Sequence, residues 1–325
     1  MPGPGAPARS VLCTGLLLMM AVPGPGSDPR PPTGPLVVFN PGSMARPFQE
    51  LLRAFAAKHP GVVPAQESSG SLEAARKLTD LGKIPDLIAV ADFEVFPTLL
   101  IPRYASWYAL FARSSMVLIY TDASTRAGEI TGDNWWRILL SPNVRSGHSD
   151  PALDPAGYRA LMVWQLAERY YGEPRLAARL AAAVPPRYVR RKSVDLIALV
   201  QAGELDYAWE YEAVARIHGF RYVKLPPEIN LGDPTRADWY AEARVRVPGK
   251  TRSATDSVDF RGQPIVYALT IPTGAPHPET ARAFAQFVLS PEGKTILEGN
   301  GFTVMERPVF RGPGHVPDLL AGSKK

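Results

Sequence analysis

The feature that most constrains this chain is an alternation, repeated along its length, of short strand-type apolar runs with amphipathic stretches of helical period. Leu36-Val37-Val38-Phe39 is the first such run. Asn40-Pro41-Gly42-Ser43 interrupts it, and the stretch Phe48 to His59 then carries apolar residues at 48, 51, 52 and 55, the spacing of one helix face. Ser68-Ser69-Gly70-Ser71 opens a second helical stretch that reaches Leu81, and Asp86-Leu87-Ile88-Ala89-Val90 reads as the next buried strand. Strands and helices in this order predict a largely parallel α/β sheet.

The pattern restarts further on. Met116-Val117-Leu118-Ile119-Tyr120 reads as a strand, followed by helical stretches over Trp135 to Leu140, Asp154 to about Tyr171 and Ser193 to Ala202. Pro264 to Pro272 forms a long strand-type run, Pro278 to Leu289 a helix, and Ser290-Pro291-Glu292-Gly293 a break before a last short helix. With 325 residues, 46% of them hydrophobic, the chain can build two cores. We expect one lobe from 34–120 plus 264–312, a second from 121–263, and a tail over 313–325. The chain would cross between lobes near 121 and 263, and those two crossings would form a hinge.

The N-terminus has the order of a secretory signal, expected over residues 1–27. Arg9 precedes an apolar stretch from Val11 to Val22, and Pro23-Gly24-Pro25-Gly26-Ser27 ends it. That stretch, about 12 residues, is short of the roughly 20 needed to span a bilayer. Cys13, the only cysteine, stands at the start of the apolar stretch, where it is not placed as a lipid acceptor. Removal of the signal would leave no cysteine, which excludes disulfides, thiol nucleophiles and cysteine metal sites. The formal charge of +5, which falls to +4 with the loss of Arg9, suits the steering of anions; the arginines are scattered and make no nucleic-acid footprint.

Four expected helix starts carry small polar or acidic residues: Gly42-Ser43, Gly70-Ser71, Asp154 and Ser193. Unpaired N–H groups at helix N-termini, brought together in a cleft, make an anion site without any cationic side chain. Each start is equally readable as an ordinary cap. Asp154 is the discriminating residue. Two like charges about 4 Å apart repel by roughly 4 kcal/mol at an effective dielectric near 20, so a carboxylate does not belong in a sulfate pocket. It can belong beside an oxyanion of molybdenum or tungsten, whose metal accepts ligands beyond four oxygens. The competing reading is a plain Asp-Pro helix start, with Asp154 at the cap and Pro155 in the first turn.

At this point a resemblance enters. Val38 to Ser43, Ser69-Gly70-Ser71, Ile101 to Tyr108, Asp154-Pro155-Ala156-Gly157-Tyr158-Arg159, Gly203-Glu204-Leu205-Asp206-Tyr207 and Pro264 to Tyr267 resemble, in order, the archaeal-type tungstate/molybdate-binding proteins of ABC transporters. The resemblance implies an α/β, type II periplasmic-binding-protein fold, two lobes on a two-crossing hinge closing over one oxyanion. It implies that Gly42, Ser43 and Ser71 bind from the first lobe. From the second would come Asp154, which could coordinate the metal of the oxyanion, the backbone of Pro155 and Ala156, and Tyr211. The family's second carboxylate falls at Ser193 here, so one ligand is missing. Asp195 lies two positions on and so off that helix face, and Glu210 is a further candidate.

The expected function is therefore that of an exported, extracytoplasmic binding protein, a monomer with no cofactor and no free metal ion. Its ligand would be tungstate or molybdate and its partner an ABC permease. Ser193 leaves sulfate, phosphate or an organic anion open as alternatives. An enzyme would need a serine paired with His148 or His218, and neither lies in a nucleophile elbow or metal-spaced motif. The aromatic pairs Trp135-Trp136 and Tyr170-Tyr171 read as lobe core more readily than as a carbohydrate platform.

Overall fold

The computed structural model describes residues 31–248 and 257–314, together with Met1 and Gly3. The expected signal over 1–27, with Cys13, lies outside the described residues apart from Met1 and Gly3, and so does the expected tail from 315 onward. The chain begins one sheet with β1 (Gly34–Pro41), β2 (Val62–Ser69), β3 (Leu87–Val90) and β4 (Tyr108–Arg113). It then builds a second from β5 (Met116–Tyr120), β6 (Ser146–Ser149), β7 (Val189–Arg190), β8 (Tyr207–Tyr211) and β9 (Arg221–Lys224). A two-stranded ribbon, β10 (Arg244–Pro248) and β11 (Ser257–Arg261), precedes β12 (Val266–Thr270) and β13 (Thr303–Arg311), which lie in the first sheet.

The strand orders are β13-β4-β12-β3-β1-β2 and β7-β6-β8-β5-β9. Two expectations are corrected here. The sheets are mixed rather than largely parallel: β1 runs parallel to β2 and β3, but β12 is antiparallel to β3 and β4, and β5 is antiparallel to β8 and β9. The chain enters β5 directly from β4 of the first sheet and β12 directly from β11 of the ribbon, in neither case through a helical crossover that would make the strand parallel to its neighbours. In addition, Met116–Tyr120 belongs to the second sheet, between β8 and β9, and not to the end of the first lobe. The outward crossing is therefore at Ser114-Ser115. There the Ser114 N–H donates to Ile265 O, Met116 N–H to Asn230 O and Ile265 N–H to Leu231 O, so the crossing strands are laced to one another.

Helices cover the sheets where apolar period dictated. Ala45–Lys58 and Pro278–Leu289 pack on the first sheet through Phe55 and Phe284, whose ring centroids are 5.3 Å apart. Pro155–Tyr171 packs on the second, where Trp164 and Trp135 both meet Trp209 edge-on. Trp135 and Trp136 are thus core, whereas Tyr170 is exposed and Tyr171 donates to Gly132 O. The helix expected from Ser193 begins instead at Asp195, because the Asp195 carboxylate accepts the Lys192 N–H and closes a turn ahead of it.

The two lobes meet across a closed seam. Glu73 N–H donates to Leu153 O, Lys192 Nζ to Ser68 O at 3.2 Å, and Arg191 pairs with Glu73 at 2.7 Å. Gly70 shows why the seam is tight: a Cβ there would lie 2.2 Å from Leu153 O, although its φ of −63° suits any residue. Gly70→Ala should therefore leave each lobe folded but keep the seam from closing to this separation. Small-angle scattering should show a larger radius of gyration than for the parent under conditions where the parent is closed, with little loss in melting temperature; an unchanged radius would refute the account.

Candidate functional site

The first lobe presents the ends of β1 and β2. Asn40 Nδ2 donates to Pro41 O and to Ser68 Oγ, both at 2.9 Å, and so fixes the two loops side by side. Gly42 and Ser43 follow in a single tight turn, and Ser43 Oγ accepts from the Tyr267 hydroxyl at 3.3 Å. Ser71, fully buried at the head of its helix, accepts the Ala91 N–H on Oγ at 2.9 Å. Each serine is engaged as an acceptor, so each hydroxyl proton remains free to donate elsewhere.

The second lobe presents the starts of two helices and the end of β8. Asp154 caps Pro155–Tyr171: Oδ1 accepts the Ala156 N–H at 3.2 Å while Oδ2 accepts the Ser193 N–H at 2.7 Å. Both roles weighed for Asp154 are thus compatible, since one oxygen caps and the carboxylate as a whole faces the neighbouring loop. Burial pushes its pKa up to about 6, against the pull of the Ser193 and Ala156 N–H groups and the Ser149 hydroxyl. Of the two backbone positions implied by the resemblance, Pro155 has no N–H, and the N–H of Ala156 is the one that Asp154 Oδ1 accepts.

Tyr211 ends β8 with its ring 5.9 Å from that of Tyr267, which ties it to Ser43, and its buried hydroxyl has no protein hydrogen-bond partner. Glu210, beside it, is fully buried; Oε2 accepts the Tyr211 N–H at 2.7 Å and Oε1 has no partner. Burial raises this carboxyl to about 8, opposed by the Ser193 side chain and the Tyr211 N–H and reinforced by Asp154. Gly42 closes the ring, its Cα packed where a Cβ would lie 3.0 Å from Val194 Cγ2. The arrangement brings together Ser43 with Tyr211 through Tyr267, and Asp154 with Ser193 directly. Ser71 reaches the second lobe through Ala91, whose carbonyl accepts from Arg159 Nη1 at 3.3 Å.

The sequence assigns no role to Arg159, Asp92 or Tyr267, although Arg159 and Tyr267 fall in segments that carry the resemblance. Arg159 crosses the seam to Asp92 at 3.0 Å, both side chains being almost wholly buried, and the Tyr158 hydroxyl donates to the same carboxylate. Burial works against the guanidinium, yet Asp92 holds its pKa above the ordinary arginine value. The signal was present, since Tyr158-Arg159 closes the Asp154 segment, but nothing local announces its distant partner. Asp195 turns back to Lys192. His148 packs on Trp164 with Nδ1 against Ser149 O, and His218 is exposed, so neither is paired with a serine hydroxyl. Among the described residues no group of three or more His, Cys, Asp or Glu side chains is placed to hold a free metal ion.

Two buried acids with raised pKa values make the unliganded protein pH-sensitive. A folded state that holds protons the unfolded chain releases is most stable below the unfolded-state pKa, and it loses that advantage as pH climbs to the folded value. For Glu210 the loss runs from the usual 4.5 to about 8. Glu210→Gln should therefore melt above the parent by a margin that grows by several degrees between about pH 5 and about pH 8.5. Calorimetric scans without added oxyanion check this, and a margin independent of pH would contradict it.

Residues 36–303 match the family described as bacterial extracellular solute-binding protein. An uncharacterized solute-binding protein of Petrotoga mobilis is 46% identical, covering 89% of this chain and 91% of that one. The molybdate/tungstate-binding protein of Pyrococcus abyssi is 36% identical, with 94% of each chain covered. Two solved structures share the fold. The sulfate-binding protein of Mycobacterium tuberculosis has a TM-score of 0.59 at 13% identity, covering 84% of this chain and 87% of that one. The periplasmic molybdate-binding protein of Azotobacter vinelandii has 0.56 at 15%, covering 83% and 100%. These neighbours are periplasmic binding proteins of the type II fold. With its family match spanning most of its length, the chain belongs to the bacterial extracellular solute-binding proteins.

Proposed function

We propose that this protein captures tungstate or molybdate between its lobes outside the cytoplasmic membrane and, as a monomer, delivers it to the permease of an ABC importer. The observation that carries the reading is Asp154: a buried carboxylate at the meeting of the lobes, among serine and tyrosine hydroxyls with protons to give. Hydroxyl donors suit any oxyanion. A carboxylate repels one by several kcal/mol, on the order of 4 for unit charges about 4 Å apart, unless it binds the central atom. Tungsten and molybdenum accept such a ligand and sulfur in sulfate does not. The Pyrococcus abyssi relative, named for these two oxyanions, supports the same ligand class.

The mechanism follows from the seam. In an open form the β1 and β2 loops would be parted from Asp154, Ser193 and Tyr211; an anion bound to one side recruits the donors of the other and shifts the population to the closed form. No helix among the described residues is long and apolar enough to cross a membrane, and docking on a separate permease would supply the passage.

A second reading rests on the capping role. Both Asp154 oxygens are engaged by N–H groups, so the carboxylate could serve the fold alone and the hydroxyls could hold sulfate, phosphate or an organic anion. Isothermal titration of the exported chain with tungstate, molybdate, sulfate and phosphate, beside Asp154→Ala, separates the two. Tungstate and molybdate should bind the parent tightly and lose at least about 100-fold, about 2.7 kcal/mol, in the variant. Tight sulfate or phosphate binding that survives the substitution would establish the second reading. No stabilisation by any of the four, where an excess of about 100-fold over Kd should add about 2.7 kcal/mol, would end the binding assignment.

A further inference from the structure

The proposed function gives Glu210 no role in binding, and its environment does not explain its presence as a structural residue. It sits on β8 among Tyr207, Ala208, Trp209 and Tyr211, all buried, where an apolar side chain would meet no cost. Its carboxyl is wholly enclosed and, among the described residues, has no cationic partner. Of its two oxygens, Oε2 accepts the neighbouring Tyr211 N–H at 2.7 Å. The other, Oε1, is buried and unpartnered. A buried carboxyl left half satisfied is costly and calls for a reason outside the fold.

The position supplies that reason. The Ser193 side chain lies against the Glu210 carboxyl, and the Ser193 N–H holds Asp154 Oδ2 at 2.7 Å, so a single residue seats both acids. Tyr267, whose hydroxyl reaches Ser43 in the other lobe, is within electrostatic range of Glu210 as well as of Asp154. At the next position of the chain the Tyr211 hydroxyl is also buried and unpartnered. An acid with a free oxygen and a phenol with a free proton thus both stand within electrostatic range of Asp154, where the lobes meet.

We propose that Glu210, with Asp154, is a carboxylate ligand of the captured tungsten or molybdenum, so that the carboxyl group absent at Ser193 is supplied from the neighbouring strand. This rests on the reading of the site as one for a metal oxyanion. In the binding step a lone pair of the carboxylate enters the coordination sphere of the hexavalent metal. All four oxo ligands stay, no electron is transferred, and the proton of the free carboxyl passes to solvent. Ser193 acts as a positioning residue: its small side chain leaves room for Glu210, and its hydroxyl orients the carboxyl.

Glu210→Gln is the decisive variant, because the amide keeps the shape and can still donate a hydrogen bond to an oxyanion but cannot act as an anionic ligand. Titration with sodium tungstate and sodium molybdate should show a loss of at least about 100-fold against the parent. The unliganded variant should melt no lower than the parent, which separates a ligand role from a structural one. X-ray absorption at the tungsten edge should count more than four oxygen neighbours in the parent complex and fewer in the variant. Parent-like affinity in Glu210→Gln overturns the proposal while leaving tungstate capture intact, and so does a four-oxygen shell in the parent, a result that needs no variant to fold. A parent that binds neither oxyanion removes this proposal and the proposed function together.

Discussion

The closed arrangement depends on one buried ion pair. Arg159 of the second lobe and Asp92 of the first meet at 3.0 Å with side chains 1% and 4% exposed, and Tyr158 adds its hydroxyl to the same carboxylate. Removing two such charges from water costs roughly several kcal/mol per ion, so the pair is a poor source of net stability. Its effect is on geometry. In the closed placement of the lobes Arg159 reaches both Asp92 and Ala91 O, and a lobe that stops short leaves a desolvated charge without its partner. The pair is on the strand-end loop that also orders Ser71, through the Ala91 N–H, so closing the seam and setting a first-lobe donor are one event. The Tyr158 ring, stacked on Phe260 at 4.6 Å, keeps water from the pair.

That same guanidinium shapes the electrostatics of the cleft. Its centre lies 6.0 Å from the Tyr211 ring, and it is almost wholly buried. Asp92 neutralises most of its charge, which leaves hydroxyl dipoles and N–H groups, rather than a bare cation, to receive an anion. Two carboxyl groups close by would defeat that purpose if both were ionised with the cleft closed, and burial prevents this by raising both pKa values. Near pH 7 the closed, unliganded cleft thus carries about one of the two carboxylate charges, that of Asp154, while Glu210 keeps its proton. The cost falls on the unliganded protein, which keeps two acids in a place where apolar side chains would pack better, a common exchange of stability for function.

Much of the fold was legible in the sequence, for reasons tied to particular segments. The helix Ser71–Leu81, the strand Met116–Tyr120 and the helix Pro278–Leu289 have the bounds their apolar period implied, because each buries one face or is buried throughout. Strands such as β2, with the polar run Gln66-Glu67-Ser68, and β6, made of Ser146-Gly147-His148-Ser149, carried no such signal; the sheet neighbours supply their pairing. Membership of a sheet was equally hidden. An apolar run such as 116–120 fits either sheet, and what decides is the Ser114-Ser115 crossing ahead of it, where backbone bonds run to Asn230 and Ile265, more than a hundred residues away.

The site was legible in its loops and not in its cross-links. Gly42, Ser43, Ser71, Asp154 and Tyr211, the residues proposed to bind, could be named because helix starts and strand ends have local signatures and because the resemblance supplied their order. Asp92 and Tyr267 matter through partners 67 and 224 residues distant, and such pairings leave no trace in a single sequence. Ser193 is the instructive case. Read alone it is a deficit, a hydroxyl where an acid was expected. In the fold it is a junction, with its N–H on Asp154 and its side chain on Glu210, so the change at 193 and the acid at 210 become one feature. A residue that looks like a loss along the chain can thus be half of an exchange in space, and only the packing of β8 against the Ser193 turn brings the other half into view.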